Sequence, residues 1–271
     1  MNDKQLKTQL ASRELGLGDI FQESYRMLAS RLSWFILLTL IIYIPANVLT
    51  ELLLYGMPQE IGIDEYSRVV IVQGAVSVYS MIGVSVTAII VRDHLEETEQ
   101  ERGFWACFSE GIRTWPYFLV TLLMFMAVVV GAMVVIMLIA GMIPLLLVLG
   151  ITVMIIGSVL AVLYVYGTCI MAALHRSVFM KNIRQVTFVL KNHLGRSLGL
   201  MLLITLVSLA ITFPVLNMSQ TIAVATGSPV LGIILNVIVE TVLSIFNIYM
   251  NIAMVLRFMN LEQICGENSI F

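Results

Sequence analysis

Charge is what this sequence has least of. Asp, Glu, Lys and Arg make up 12% of its 271 residues, against about 25% in an ordinary soluble domain. The chain is 59% hydrophobic, with a mean hydropathy of +0.97. Too few polar side chains remain to coat a water-facing surface, so the solvent for most of the chain is lipid. A basic excess is also missing: the net charge is −2, which leaves no footprint for nucleic acid. Cysteine is scarce. Cys107, Cys169 and Cys265 are odd in number, far apart and never in C-x-x-C spacing, so they make neither a disulfide framework nor a zinc ribbon. His94, His175 and His193 form no H-E-x-x-H or other metal spacing. There is no P-loop, no G-x-S-x-G and no pair of intramembrane aspartates. The sequence points to no cofactor, no metal and no catalytic set, and the chain reads as a non-enzyme.

Long apolar runs are what is present. A span needs about 20 apolar residues to cross about 30 Å of hydrocarbon. The first runs over Trp34–Tyr55, with a kink expected at Pro45. It is too long for a signal-peptide core, and no small-residue cleavage site follows it. The second is Val69–Val91, between Arg68 and Arg92. From Thr114 to Leu174 there is no charged residue, a stretch of about 90 Å at helical rise. Of the 15 Lys and Arg residues, all but Arg68 fall in four segments. These are the N-terminal segment, 92–113, 176–196 and the end at Arg257. The positive-inside rule assigns them to the cytoplasm. Both flanks of the uncharged stretch then lie on one side, and it must hold an even number of crossings. Two fit, Phe118–Ala140 and Leu145–Met171, turning at Gly141-Met-Ile-Pro144. Leu198–Asn217 and Val230–Leu256 complete six spans, joined by a short polar outer loop, Met218–Pro229.

The expected architecture is therefore all-α. A cytoplasmic segment with an amphipathic helix (1–33) leads into a six-helix transmembrane domain (34–257) and a cytoplasmic tail (258–271). Both termini lie on the cytoplasmic side of an inner membrane. Three segments read as amphipathic helices on the cytoplasmic face. The first carries Leu17, Ile20, Phe21, Leu28 and Leu32 opposite Gln22, Glu23, Arg26 and Ser30, with Asp19 and Gln22 as a capping box. The second, Phe104–Thr114, sets Phe104, Phe108 and Ile112 against Ser109, Glu110 and Arg113. The third, Ile183–Arg196, sets Ile183, Val186, Leu190 and Leu194 against Arg184 and Lys191. Arg31, Arg113 and Arg196 each precede a span that reaches Thr-Leu eight or nine residues later. The pattern describes three copies of one unit: surface helix, span, outer turn, span. Chance similarity between apolar segments is the competing account.

The sixth span carries the most informative polar pattern. Asn236, Glu240, Ser244, Asn247 and Asn251 step by four, four, three and four, which keeps them on one helical face. Glu240 is the one charged residue between Arg196 and Arg257. An acid facing lipid at that depth costs at least about 2–3 kcal/mol, so it faces the bundle, holds a proton or meets water. Possible facing residues are Asn47 and Glu51 in the first span and Gln73, Ser77 and Ser80 in the second. Together they would line an outward-opening cavity. Interhelical hydrogen bonding that binds the bundle is the plainer alternative. Gly150, Gly157 and Ala161 form a small face suited to close helix packing. The charged run from Arg92 to Arg102 reads as a solvated helix, and residues 92–114 are the candidate docking segment for a protein partner.

Two segments carry a family resemblance. Gly16-Leu-Gly-Asp-Ile-Phe-Gln-Glu-Ser-Tyr-Arg-Met-Leu leads into an apolar span containing Pro45. Ala172-Ala-Leu-His-Arg-Ser177 is followed by Phe179-Met-Lys-Asn, an amphipathic helix and another span. Both resemble the membrane domain attached to some bacterial glycerophosphoryl diester phosphodiesterases, and its stand-alone six-helix relatives, the YciC-like envelope proteins. The resemblance implies six helices and interfacial cytoplasmic helices. It implies no catalysis, because the phosphodiesterase domain is absent from these residues. The expected function is that of a non-enzymatic accessory or partner subunit in bacterial envelope physiology. The alternative is a transporter or permease component coupled to a separate ATPase, with 92–114 as the coupling segment.

Overall fold

The computed structural model describes residues 14–54, 63–96, 102–142, 144–177, 179–226 and 228–268. All secondary structure among them is helical: α1 (Leu17–Ser30), α2 (Leu32–Leu38), a π-helical turn (Thr39–Tyr43), α3 (Ile44–Leu54), α4 (Ile63–Glu96), α5 (Phe104–Met142), α6 (Pro144–His175), α7 (Phe179–Leu190), α8 (Leu194–Thr226) and α9 (Pro229–Asn268). Five stretches are long and apolar enough to cross a membrane: Leu32–Leu53, Val69–Leu95, Phe104–Ala132, Leu194–Val215 and Val230–Gly266. The expected fourth span falls in α6. There Leu160–His175 meets α7 at a bend of 116°, and the pair makes a sixth stretch if counted as one. Arg176 forms the bend with φ at 49°, a left-handed conformation that side chains rarely adopt. Side chains such as Leu123, Val128, Phe213 and Val242 are 57–71% exposed. Apolar surface on this scale needs lipid as its solvent, and the chain is read as a multi-pass membrane protein.

The helix ends explain themselves locally. Met142 closes α5 and Pro144 opens α6, as the Gly-Pro signal predicts; proline at a first helical position loses nothing, since that N–H is unbonded in any case. The expected loop Met218–Pro229 is mostly helix. α8 continues through Pro214 to Thr226, and α9 begins at Pro229. Ser228 caps α9, its Oγ accepting from the Leu231 N–H at 3.4 Å. At α1 the cap also differs from expectation. Asp19 is the third residue of the helix, and its carboxylate accepts from the Gly16 N–H at 3.3 Å, so Gly16 stands where Asp19 was expected and Asp19 where Gln22 was.

Contacts divide the chain into two compact units. One comprises the described residues of Met1–Leu15, Ile112–Met201 and Arg257–Phe271. The other comprises Gly16–Gly111 and Leu202–Leu256.

In the second unit the first span is not a single α-helix. The π-helical turn precedes Pro45, and the Ile44 N–H bonds back to the Thr39 carbonyl. Proline has no N–H to offer Ile41, four residues back. The Tyr79 hydroxyl of α4 donates to that carbonyl at 3.0 Å. Gly111 lets α4 and α5 touch backbone to backbone: a Cβ there would lie 2.8 Å from Val86 Cα, and the Ser85 hydroxyl donates to the Gly111 carbonyl at 3.0 Å. α1 buries Ile20, Glu23, Ser24 and Met27, a face at helical spacing but rotated from the expected one. Leu17 and Leu32 are exposed, and the Tyr249 hydroxyl donates to the Phe21 carbonyl at 3.1 Å. Glu23, expected on the solvated face, is buried and paired with Arg26 at 2.8 Å.

Three further expectations are corrected. Phe104–Thr114 is not a separate surface helix but the first turns of the 39-residue α5, which passes Pro116 without a break. The third amphipathic helix is Phe179–Leu190, and Leu194 opens α8. It buries Phe179, Asn182, Val186, Val189 and Leu190. The tail expected from 258 is helix to Asn268, with Phe258, Asn260 and Leu261 fully buried. In the fourth span the close helix contact falls at Gly167, outside the expected small face. A Cβ at Gly157 would meet nothing within 4 Å, whereas one at Gly167 would lie 2.5 Å from the Phe258 ring. The surroundings of Gly150 lie outside the described residues.

In the first unit a carboxylate gathers three basic side chains. Glu14 pairs with Arg257 at 2.7 Å, Arg196 at 2.6 Å and His193 at 3.1 Å. Arg257 is 1% exposed and also donates to Ser197 Oγ at 3.1 Å. The Leu15 N–H donates to Asn260 Oδ1 at 3.0 Å, which holds the same chain segment against α9. Burial alone would push the Glu14 carboxyl up. The hydrogen bond and charge of Arg257, with His193 and Arg196, outweigh it and hold the group below the usual 4.5.

Candidate functional site

The second unit contains a cavity of about 390 Å³ lined by α3, α4, α8 and α9. Each helix contributes by its own periodicity. Asn47 and Thr50 are three apart on α3. Gln73, Val76 and Ser77 lie within one turn of α4. Glu240, Leu243, Ser244 and Asn247 step by three, one and three along α9, and Thr212 comes from α8. Six of the residues singled out from the sequence therefore share one wall: Asn47, Gln73, Ser77, Glu240, Ser244 and Asn247.

The others are placed differently. Glu51 does not line the cavity; its carboxylate accepts from Asn236 Nδ2 at 3.4 Å, tying α3 to α9. Asn251 is buried and off the wall. Ser80 donates to its own helix at the Val76 carbonyl, 2.9 Å away. Thr50, Val76, Thr212 and Leu243 were not anticipated. Thr50 lies on the Asn47 face, one turn along α3, so helical periodicity marks it. Nothing in the sequence marks Thr212.

The cavity joins one carboxylate to neutral amides and hydroxyls. Among the described residues Glu240 is its one charged lining residue, and no Lys, Arg or His lines it. Glu240 lies within electrostatic reach of Glu51, and neither makes an ion pair among the described residues. The Thr50 hydroxyl donates to the Ala46 carbonyl at 3.0 Å and that of Ser244 to the Glu240 carbonyl at 2.7 Å. With their protons committed, both oxygens have only lone pairs left to offer. Asn47 Nδ2 is buried without a hydrogen-bond partner among the described residues, and such a donor costs about 1–3 kcal/mol if left unmet.

The 92–114 segment is less open than its composition implies. Arg92 reaches Asp93 at 2.8 Å and Glu110 at 3.1 Å. Arg102 reaches Asp93 at 3.0 Å and Glu110 at 2.6 Å. Two arginines and two carboxylates thus close a neutral ring across the α4–α5 junction, and the Glu110 hydrogen bond raises the Arg102 guanidinium above its usual value. Beside it Trp34, Phe104, Trp105 and Phe108 pack ring against ring at 5.3–6.1 Å, and Arg31 stacks over Trp34 at 4.4 Å. Such aromatic and basic groupings suit a membrane–water boundary. Glu97, Glu99 and Glu101 lie outside the described residues.

No group of three or more His, Cys, Asp and Glu side chains is placed to hold a metal ion among the described residues. Comparison with protein-family models, curated proteins and solved structures gives no match. The likeness to the phosphodiesterase membrane domain thus rests on the two quoted segments alone.

Proposed function

We propose that this chain is the membrane component of a transport system, taking a small polar solute into the cavity at Glu240. The orientation that fits is a bacterial inner-membrane protein with six spans and both termini in the cytoplasm, as the lysine and arginine distribution favours. One observation carries the reading: polar side chains from four separate spans converge on a single cavity. Stripes used only to bind helices together would be consumed by interhelical bonds, as Asn236 is by Glu51. The accessory-subunit reading has less support, because the charges of Arg92, Asp93, Arg102 and Glu110 are paired with one another rather than presented to a partner.

Water access tests it. Single cysteines replace Ser77 and Asn247 in a background without Cys107, Cys169 and Cys265, and are challenged in intact cells and inverted vesicles with a membrane-impermeant maleimide. Val242→Cys, 62% exposed and off the cavity, supplies the lipid-facing control. The proposal expects both cavity cysteines to label well above the control. Labelling no faster than the control would mean a dry bundle and would remove the transport reading.

A further inference from the structure

We infer that the ligand of the Glu240 cavity is a small organic cation, an amine or quaternary ammonium; this rests on the solute-binding reading above. Charge comes first. Among the described residues Glu240 is the one ionisable lining residue, Glu51 stands within its electrostatic reach, and no cation lines the wall to neutralise either. An anionic solute would be repelled by both carboxylates. Hydrogen-bonding capacity comes second. Thr50 and Ser244 have spent their protons on their own helices, so both present acceptors. A polyol or sugar would find donors at the Asn47, Gln73 and Asn247 amides but would leave the charge of Glu240 without a counter-ion. An ammonium brings positive charge to the Glu240 carboxylate and, where it carries N–H groups, donors to the Thr50 and Ser244 oxygens.

Size and shape come third. A cavity of about 390 Å³ is far larger than a single water, whose share of liquid volume is about 30 Å³. It falls within the range of small-molecule sites. Val76 and Leu243 supply apolar wall between the polar groups. A metal ion would leave those surfaces uncovered, whereas methyl or methylene groups on an organic cation would cover them. Glu240 is then the counter-ion, Thr50 and Ser244 are acceptors, and Val76 with Leu243 shape the apolar side.

The test reads charge selectivity inside the cavity. Ser77→Cys and Asn247→Cys, in the cysteine-free background, are reacted with a cationic trimethylammonium methanethiosulfonate and an anionic sulfonate methanethiosulfonate of similar size. The ratio of the two rates cancels any change in thiol ionisation. The expected result is a cation preference of about tenfold or more, falling to about twofold in Glu240→Gln. Equal rates, an anion preference, or a preference untouched by Glu240→Gln would overturn the cation assignment while leaving the solute cavity intact. Reaction at neither site above Val242→Cys would overturn both readings. Should Glu240→Gln fail to fold, the unaltered Glu240 protein still decides. Tetramethylammonium must slow labelling of Asn247→Cys by a neutral reagent, and methanesulfonate must not; equal effects overturn the assignment.

Discussion

Arg257 donates to the Glu14 carboxylate at 2.7 Å across 243 residues of sequence. The arginine is 1% exposed, and its charge is tolerable only while the carboxylate is there. Glu14→Gln leaves that charge buried without its partner, at an expected cost of about 3–5 kcal/mol. Thermal unfolding in detergent checks this. Adding Arg257→Met should recover much of the loss, because removing both charges also removes the desolvation they share. A double variant as unstable as Glu14→Gln alone would count against the account.

The same pair sets an acid dependence. Glu14 is held below 4.5 in the folded protein, so folding favours its ionised form. The stability this provides is fully present above the pKa of an unfolded glutamate, and is lost as pH falls through the lower folded value. Melting temperatures of the unaltered protein and Glu14→Gln should therefore differ at pH 6–7 and converge below about pH 4.5. A gap that stays constant to pH 3 would show that Glu14 does not titrate as described.

Tyr79 completes the first span. Tyr79→Phe keeps the ring and removes the hydroxyl that reaches Ile41, so it should cost about 1 kcal/mol. In a Pro45→Ala background, residue 45 regains an N–H and the hydroxyl has less to do. A double-mutant cycle should then show coupling between 45 and 79. Strict additivity would indicate that the two features are independent.

Gly111→Ala should be costly, because its Cβ would sit 2.8 Å from the Val86 backbone and backbone cannot step aside as a side chain can. A loss of about 1–3 kcal/mol is expected. Gly131→Ala, with nothing within 4 Å, should be neutral or mildly stabilising. Equal effects at both glycines would refute a close α4–α5 approach.

Much of the plan was legible in order of locality. Long apolar runs, the Met142–Pro144 turn and the spacing from Glu240 to Asn247 depend on neighbours along one helix, and a single sequence displays them. Glu240, Ser244 and Asn247 followed from that spacing, and Asn47, Gln73 and Ser77 from the polar positions of the first two spans. Asn251 shares their face by periodicity, yet is buried off the wall, because a shared face does not set where along the helix a cavity closes. Arg257 marked a helix end in the sequence, since a lone arginine after an apolar run reads as the membrane boundary. Its partner Glu14 was invisible at that stage, and with it the burial of the helix beyond. Phe104–Thr114 looked like a surface helix because its charges read as solvated; Glu110 is instead held in the ring with Arg92, Asp93 and Arg102.

Composition and periodicity by themselves determined that this is a helical protein built for lipid, and which face of the sixth span is polar. Those properties are sums over adjacent residues, insensitive to what lies across the bundle. Tertiary structure decided which charges are spent and which are free. Arg257 is neutralised by Glu14, and Arg92 and Arg102 by Asp93 and Glu110, while Glu240 is left facing a cavity. The physical reason is that the energy of a charge at low dielectric depends on the few ångströms around it, and those ångströms are filled by residues remote in sequence.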